Sequence, residues 1–439
     1  MYKTLFTYIN IILFTAIAVA QEPVTLEETM SYAMEHSPIL RVNKMKLEQT
    51  AIQVEESRLQ YIPDMYLSGD LRRNLIIPAT PVPANVFDSS AAEGELMYLK
   101  FNTKWNSSAG VNLKYDLFNP EKINSVTQQQ HQLRIQEYDT EITEADIREQ
   151  VALVYADCVI AEEQMKLLKE DVTYYEELLN NANQLFIKEK IGLSEKNDAH
   201  RAYNESVAAY LEAKKITGDR KAELLYLIGM DVTTDNIKTL YLKEDIPTLL
   251  EKMEQKVMTY NSVNDLEIMR QQEVADLAAL RAKSAQWKYA PTLSLNGYYG
   301  TNYYNNEFSL FNNKFWRGNS YIGLSLIMPI TKSFSTAKEV SRLRLQQRME
   351  SENLRDIRNK LEKERLNELS LLQVRQENYR LSRENWELSR QNSKAVKLQY
   401  EKGYIQQSEL LNEQQKIRQS RHNFLQASYD LFNILNTIN

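Results

Sequence analysis

Turn-forming residues are scarce in this chain: its 439 residues include only 11 Gly and 10 Pro. Two or three ordinary globular domains, which this length would otherwise allow, need more loops than that. Cysteine is scarcer still, and the single Cys158 excludes an internal disulfide framework or a cysteine-based metal cluster. The four histidines, His36, His131, His200 and His422, lie too far apart in sequence to suggest a His-rich metal site. There is no basic excess: 53 Lys and Arg against 59 Asp and Glu give a net charge of −6 with the signs mixed, so nothing calls for nucleic acid. No nucleophile, metal or acid–base cluster stands out, and no catalytic residue or cofactor is expected. Paired carboxylates such as Glu27-Glu28 and Glu162-Glu163 sit in helical stretches full of such pairs.

Long apolar runs are also missing after residue 20. The start reads as a secretory signal over residues 1–20, with Lys3, an apolar core from Ile11 to Val19, and the small-x-small site Ala18-Val19-Ala20. Beyond it nothing reaches the roughly 20 apolar residues of a transmembrane helix. If the mature chain enters a membrane, it does so as strands.

What is present is length, twice over. From Pro120 to Gly192, and again from Pro329 to Gly403, no Pro or Gly interrupts the chain. Each run, if helical, could reach roughly 100 Å, far beyond a typical helix of about 11 residues. The punctuation around the runs repeats. Pro63 to Gly69 matches Pro291 to Gly297 as P-x-x-x-L-x-G, and Gly110-Val-Asn-Leu parallels Gly323-Leu-Ser-Leu. Gly192 followed six residues later by Asp198 parallels Gly403 followed six later by Glu409. We read a first structural repeat over 21–230, a polar linker over 231–244, and a second repeat over 245–439. Each repeat has the order helix, strand, strand, long helix, returning helix.

The strand segments alternate. Odd positions from Trp105 to Leu117 are mostly apolar and even ones polar or small; Ile322, Leu324, Leu326, Met328 and Ile330 form a second apolar row. Their partners are Met65, Leu67 and Leu71, then Leu293, Leu295 and Tyr299. Such strands are long enough to cross a bilayer at a tilt, and a soluble sheet with one wet face has the same pattern. Aromatics near segment ends, including Tyr61, Tyr66, Trp105, Tyr298, Trp316 and Tyr321, resemble a membrane girdle. The segment from Ile77 to Glu95 suits an extracellular loop. Four strands cannot close a barrel, so lipid-spanning strands require other copies of the chain.

The first long run carries heptad rows, Val151, Cys158, Met165, Val172, Leu179, Phe186 and Val154, Ala161, Leu168, Tyr175, Ala182. Cys158 is thereby expected to be a small seam residue. In the second run one row survives as Leu372, Tyr379, Trp386 and Ser393, while the other turns polar at Gln376, Arg383 and Arg390.

Together the doubled plan, Tyr61-Ile-Pro63 and Tyr289-Ala-Pro291 before the strand pairs, the Leu117-Phe118 step and the segments around Gly192 and Gly403 resemble the TolC-type outer-membrane efflux protein family. The resemblance covers essentially the whole mature chain. It implies an α+β membrane protein: a long antiparallel α-helical barrel joined to a transmembrane β-barrel, four strands per chain and 12 in a homotrimer. It further implies an exit duct in outer-membrane lipid with a periplasmic helical domain, fed by an inner-membrane pump through a periplasmic adaptor (membrane fusion) protein. Ile191-Gly192-Leu193-Ser194 looks like the family's adaptor-docking tip, and Gly403 marks the second tip. Asp198 and Glu409 match the acids of the family's periplasmic gate. The family's next acid is Asn412 here and its tip arginine is Ile405, so a salt-bridged closed gate is not implied. The rival reading is a non-channel periplasmic or surface coiled-coil spacer. Fractionation separates the two: the duct is expected to leave the cell envelope only with detergent, the spacer with the soluble periplasmic fraction.

Overall fold

The computed structural model describes residues 24–257 and 264–438; the signal segment expected over 1–20 lies outside the described residues. The chain runs α1 (Leu26–His36), α2 (Pro38–Leu59), β1 (Asp64–Arg73), β2 (Thr80–Pro83), β3 (Leu96–Leu99), β4 (Trp105–Phe118), α3 (Ser125–Ile187) and α4 (Leu193–Ile228). After the short α5 (Thr234–Thr239) it continues α6 (Ile246–Val257), α7 (Asn264–Trp287), β5 (Thr292–Asn305), β6 (Trp316–Ile327), α8 (Lys332–Glu401) and α9 (Gln407–Ile438). The two runs without Pro or Gly are single helices of 63 and 70 residues. Nothing in either run removes a backbone donor or relaxes the backbone, so neither has an internal stop. Two compact units result, one from the described residues of 24–47, 136–257, 264–270 and 354–438, the other from 48–135 and 271–353. Each draws on both halves of the sequence.

The second unit holds a four-stranded antiparallel sheet in the order β1-β4-β5-β6. Residues directly opposite in an antiparallel pair share a face. The register therefore stacks Met65, Leu113, Gly297 and Ile322 in one row and Leu67, Val111, Tyr299 and Ser320 in the next. Leu295 and Leu324 extend this apolar face, and an irregularity between Asp116 and Phe118 brings Phe118 onto it beside Leu293 and Leu326. The opposite face carries Asp64, Lys114, Asn296 and Gly323, then Ser68, Gly110, Gly300 and Asn319. Leu117, which alternation alone places in the apolar row, is the extra residue of a bulge. The segment read as a plain loop contains a small ribbon, β2 paired with β3.

The strand-to-helix step at the end of β4 is pinned by polar contacts. Asp116 accepts hydrogen bonds from Asn119 (2.9 Å) and Ser294 (2.8 Å) and pairs with Lys122 (2.9 Å). Lys122 also donates to the Gln60 carbonyl (2.8 Å), and its own carbonyl accepts from the Tyr61 hydroxyl. Asn124, just before α3, takes a left-handed φ of 63° and donates to Ser284.

In the first unit the main core joins α1, the middle of α3, the end of α4, α6 and the end of α9, around Leu26, Val151, Tyr155, Leu224, Leu249, Leu431 and Phe432. The seam is the second heptad row: Val154, Ala161, Leu168, Tyr175 and Ala182 are all buried. The first row is buried only at Val151 and Cys158 and half-buried from Met165 to Phe186. Burial pushes the Cys158 thiol up to about 12, which suits a neutral packing residue.

The polar linker 231–244 is an ordered strap rather than a spacer. Thr233 caps α5, Leu240 is buried, Val24 and Leu242 bridge as parallel strands, and Lys221 donates to the Leu240 carbonyl (2.6 Å). Its last residue, Glu244, is buried and accepts from the Leu26 amide, the Tyr155 hydroxyl and Lys252 (2.9 Å). A carboxylate at the positive end of α1 is favourable, and Lys252 compensates its burial. Burial and Glu244 together hold the Tyr155 phenol well above its ordinary range. Tyr155→Phe, which loses bonds to Glu244 and the Val24 carbonyl, is expected to destabilise the protein by about 1–2 kcal/mol in thermal unfolding, and Glu244→Ala by more, because it strands the Leu26 amide and leaves Lys252 with Glu27 alone.

Candidate functional site

Two regions can carry a function, and both follow from the helix and strand ends. The first is the sheet. Its apolar face is bare: Leu67 is 81% exposed, Ile322 74% and Leu324 68%. The outer strands β1 and β6 each have one edge without a partner among the described residues. In water such a face and such edges invite aggregation, whereas in lipid the face is solvated and the edges must be paired by further strands.

The strand end nearest the connecting loops is aromatic. Tyr303 is buried beneath the β5–β6 loop, donates to the Glu307 carbonyl (2.9 Å) and accepts from the Ser309 amide, with Trp316 and Phe315 against its ring. Trp105 packs on Phe308 and under Arg73. This is where the expected girdle lies. Tyr66, Tyr298 and Tyr321 do not belong to it, because the register puts all three in mid-sheet on the polar face, in one row with Asn112. Alternation alone does not reveal this, since each tyrosine sits near apolar residues in its own strand.

The second region is the pair of helix tips. α3 and α4 are joined by residues 188–192, and α8 and α9 by 402–406. Both turns close alike. Lys190 and Tyr404 donate back to the Leu185 and Gln399 carbonyls (2.9 Å each), the backbone pattern of a Schellman cap. The left-handed residue is Gly403 (φ 76°) in the second turn but Glu189 (φ 57°) in the first. Gly192 instead caps α4 at its start, with an extended backbone and its amide bound by Glu195 (2.7 Å). The backbone thus corrects the parallel drawn from sequence. Glu189 corresponds to Gly403, Gly192 to Gln406, Glu195 to Glu409 and Asp198 to Asn412, because glycine spacing and helix ends are out of step between the two turns.

Leu193 and Ser194 are exposed at the first turn of α4, and Ile191 is half-buried. Gln407 donates to the Glu195 carbonyl (2.9 Å), and Leu410 packs with Tyr175 and Leu178, so the starts of α4 and α9 lie side by side. The two candidate gate acids are not brought into contact. Asp198 pairs with Arg201 (2.9 Å), whereas Glu409 is exposed in the first turn of α9 and makes no ion pair among the described residues.

Residues 29–230 match the family model described as outer membrane efflux protein. No curated protein matches the chain by sequence. Among solved structures, the CmeC outer membrane channel of Campylobacter jejuni superposes with a TM-score of 0.75 at 17% identity, covering 94% of this chain and 84% of that one. The outer membrane protein VceC of Vibrio cholerae gives 0.72 at 14% identity, with 94% and 95% covered. The open state of the Neisseria gonorrhoeae MtrE outer membrane channel gives 0.72 at 16%, with 94% and 88% covered. By sequence residues 29–230 match the outer membrane efflux protein family, and over nearly its whole length the chain shares the fold of these outer membrane channels.

The tip geometry has a direct test. Gly403→Ala forces a left-handed alanine, costing about 1 kcal/mol, so amide exchange across 398–406 is expected to quicken roughly fivefold. Glu189→Gly is expected to slow exchange across 185–193.

Proposed function

We propose that this chain is the protomer of a passive exit duct, conducting substrate across the periplasm and outer membrane after delivery by an inner-membrane pump and a periplasmic adaptor. The observation that carries this reading is the sheet, whose four strands share one bare apolar face and leave both edges unpaired. Closure with other copies satisfies those edges inside lipid, and a homotrimer gives the 12-stranded barrel that the family resemblance implies. The duct catalyses nothing; the energy comes from the pump.

The repeat supports the same reading. The order α2, β1, β4, α3, α4 recurs as α7, β5, β6, α8, α9, giving each protomer two hairpins of helices with two tips. The exposed first tip, Ile191 to Ser194, and the second at Gly403 are the proposed adaptor-docking surfaces, with Leu193 and Tyr404 offering apolar contact. At the periplasmic mouth we place Glu409 as a fixed negative charge. Asp198 is the weaker of the two gate acids because Arg201 already neutralises it.

Single-channel recording of the detergent-purified protein in a planar bilayer tests this. Stable conductance steps from a trimer are expected, and Glu409→Ala is expected to lower the preference for cations. A purified trimer that carries no current would overturn the duct, and unchanged selectivity would remove Glu409 from the mouth.

A further inference from the structure

We propose that the lumen of the strand barrel holds a tyrosine belt, Tyr66, Tyr298 and Tyr321, that binds planar aromatic solutes in transit. The proposal rests on the duct reading, which makes the polar face of the sheet the lumenal one. Strand register places Tyr66, Asn112, Tyr298 and Tyr321 directly opposite one another across all four strands. The adjoining rows of that face are small or polar: Asp64, Lys114, Asn296 and Gly323 on one side, Ser68, Gly110, Gly300 and Asn319 on the other. Three of four positions in a single row are therefore aromatic where neighbouring rows have none. Packing within the chain does not require it, since Tyr66 is 51% and Tyr321 59% exposed.

The row has the geometry of a stacking platform. The Tyr298 and Tyr321 rings lie 6.0 Å apart and 24° from parallel, and Tyr298 is folded down onto two glycines. A Cβ on Gly110 would meet Tyr298 ring atoms at 2.7 Å, and one on Gly300 would meet the Tyr298 hydroxyl and the Ala109 carbonyl at 2.5 Å. The dent made by Gly110 and Gly300 is what lets the ring lie flat. In that pose the Tyr298 hydroxyl is buried and has no hydrogen-bond partner among the described residues. A second pose, with the ring lifted into the lumen, frees the hydroxyl and exposes both ring faces. The charges on this face balance, Asp64, Asp70 and Asp116 against Arg72, Lys114 and Arg317, so ring stacking rather than net charge selects what the belt holds.

The test is current block in the planar bilayer, using 9-aminoacridine as the planar aromatic probe and 1-aminoadamantane as a compact aliphatic cation. Wild-type channels are expected to show discrete blockades with the acridine and not with the adamantane. Tyr66→Leu, Tyr298→Leu and Tyr321→Leu combined are expected to shorten the blockades about tenfold. The corresponding three Tyr→Phe changes, which keep the rings, are expected to retain them, and Tyr299→Leu on the apolar face to leave them unaltered. Gly110→Ala, which pushes only the Tyr298 ring off the sheet, is expected to lengthen them. Blockades of equal length in the triple leucine channel, or equal block by the adamantane, would overturn the belt. A trimer that conducts with such blockades fails the belt alone; one that never conducts fails the duct.

Discussion

The constraint on which the rest of the molecule depends is that a peptide group in hydrocarbon must find its hydrogen-bond partner in protein. Four strands with one bare apolar face meet that demand along β4 and β5 and leave it unmet at the outer edges of β1 and β6. In the proposed duct, assembly is therefore part of the secondary structure rather than an addition to it. The long helices solve the same problem differently, since every internal amide is paired within its own helix. They can run far beyond a globular core without leaving a donor unpaired.

In the proposed duct, stability and passage are separated along the chain. Buried polar ties lie in the helical unit, where Glu244 gathers the Leu26 amide, Tyr155 and Lys252, and where Arg421 reaches Asp171 (2.8 Å). These fix the start of α1, the strap and the body of α3 against one another. The sheet carries its polar groups on one face instead, which in the proposed duct faces the lumen. An aromatic row among small residues is the place on that face with the most surface to offer a passing ring.

Much of the architecture was legible in the sequence because it is periodic. The absence of Pro and Gly predicted the two long helices, and alternation predicted the four main strands and the apolar faces of β1, β4, β5 and β6. The heptad row from Val154 to Ala182 named the seam, and the row through Val151 gave Cys158 its inert role. What failed to show were features set by pairing rather than by period. The bulge at Leu117 and the Tyr66-Tyr298-Tyr321 row exist only once strands are in register. The ordered strap at 231–244 looked like a linker because its anchors, Leu240 and Glu244, are isolated among polar residues. The tips misled for a different reason. A glycine marked each turn, but left-handed backbone at Glu189 did the work that Gly403 does in the second turn, so counting from glycine paired Asp198 with Glu409 where the helix ends pair Glu195 with it.

In the proposed duct the apolar face of the sheet meets lipid and the opposite face meets water. Spin labels placed one at a time along β6 in liposomes, with access read by oxygen and by a water-soluble nickel relaxant, test it most directly. Access with a period of two is expected, with oxygen favoured at positions 322, 324 and 326 and nickel at 323 and 325. Uniform access to nickel along the strand would mean that the sheet never enters the bilayer.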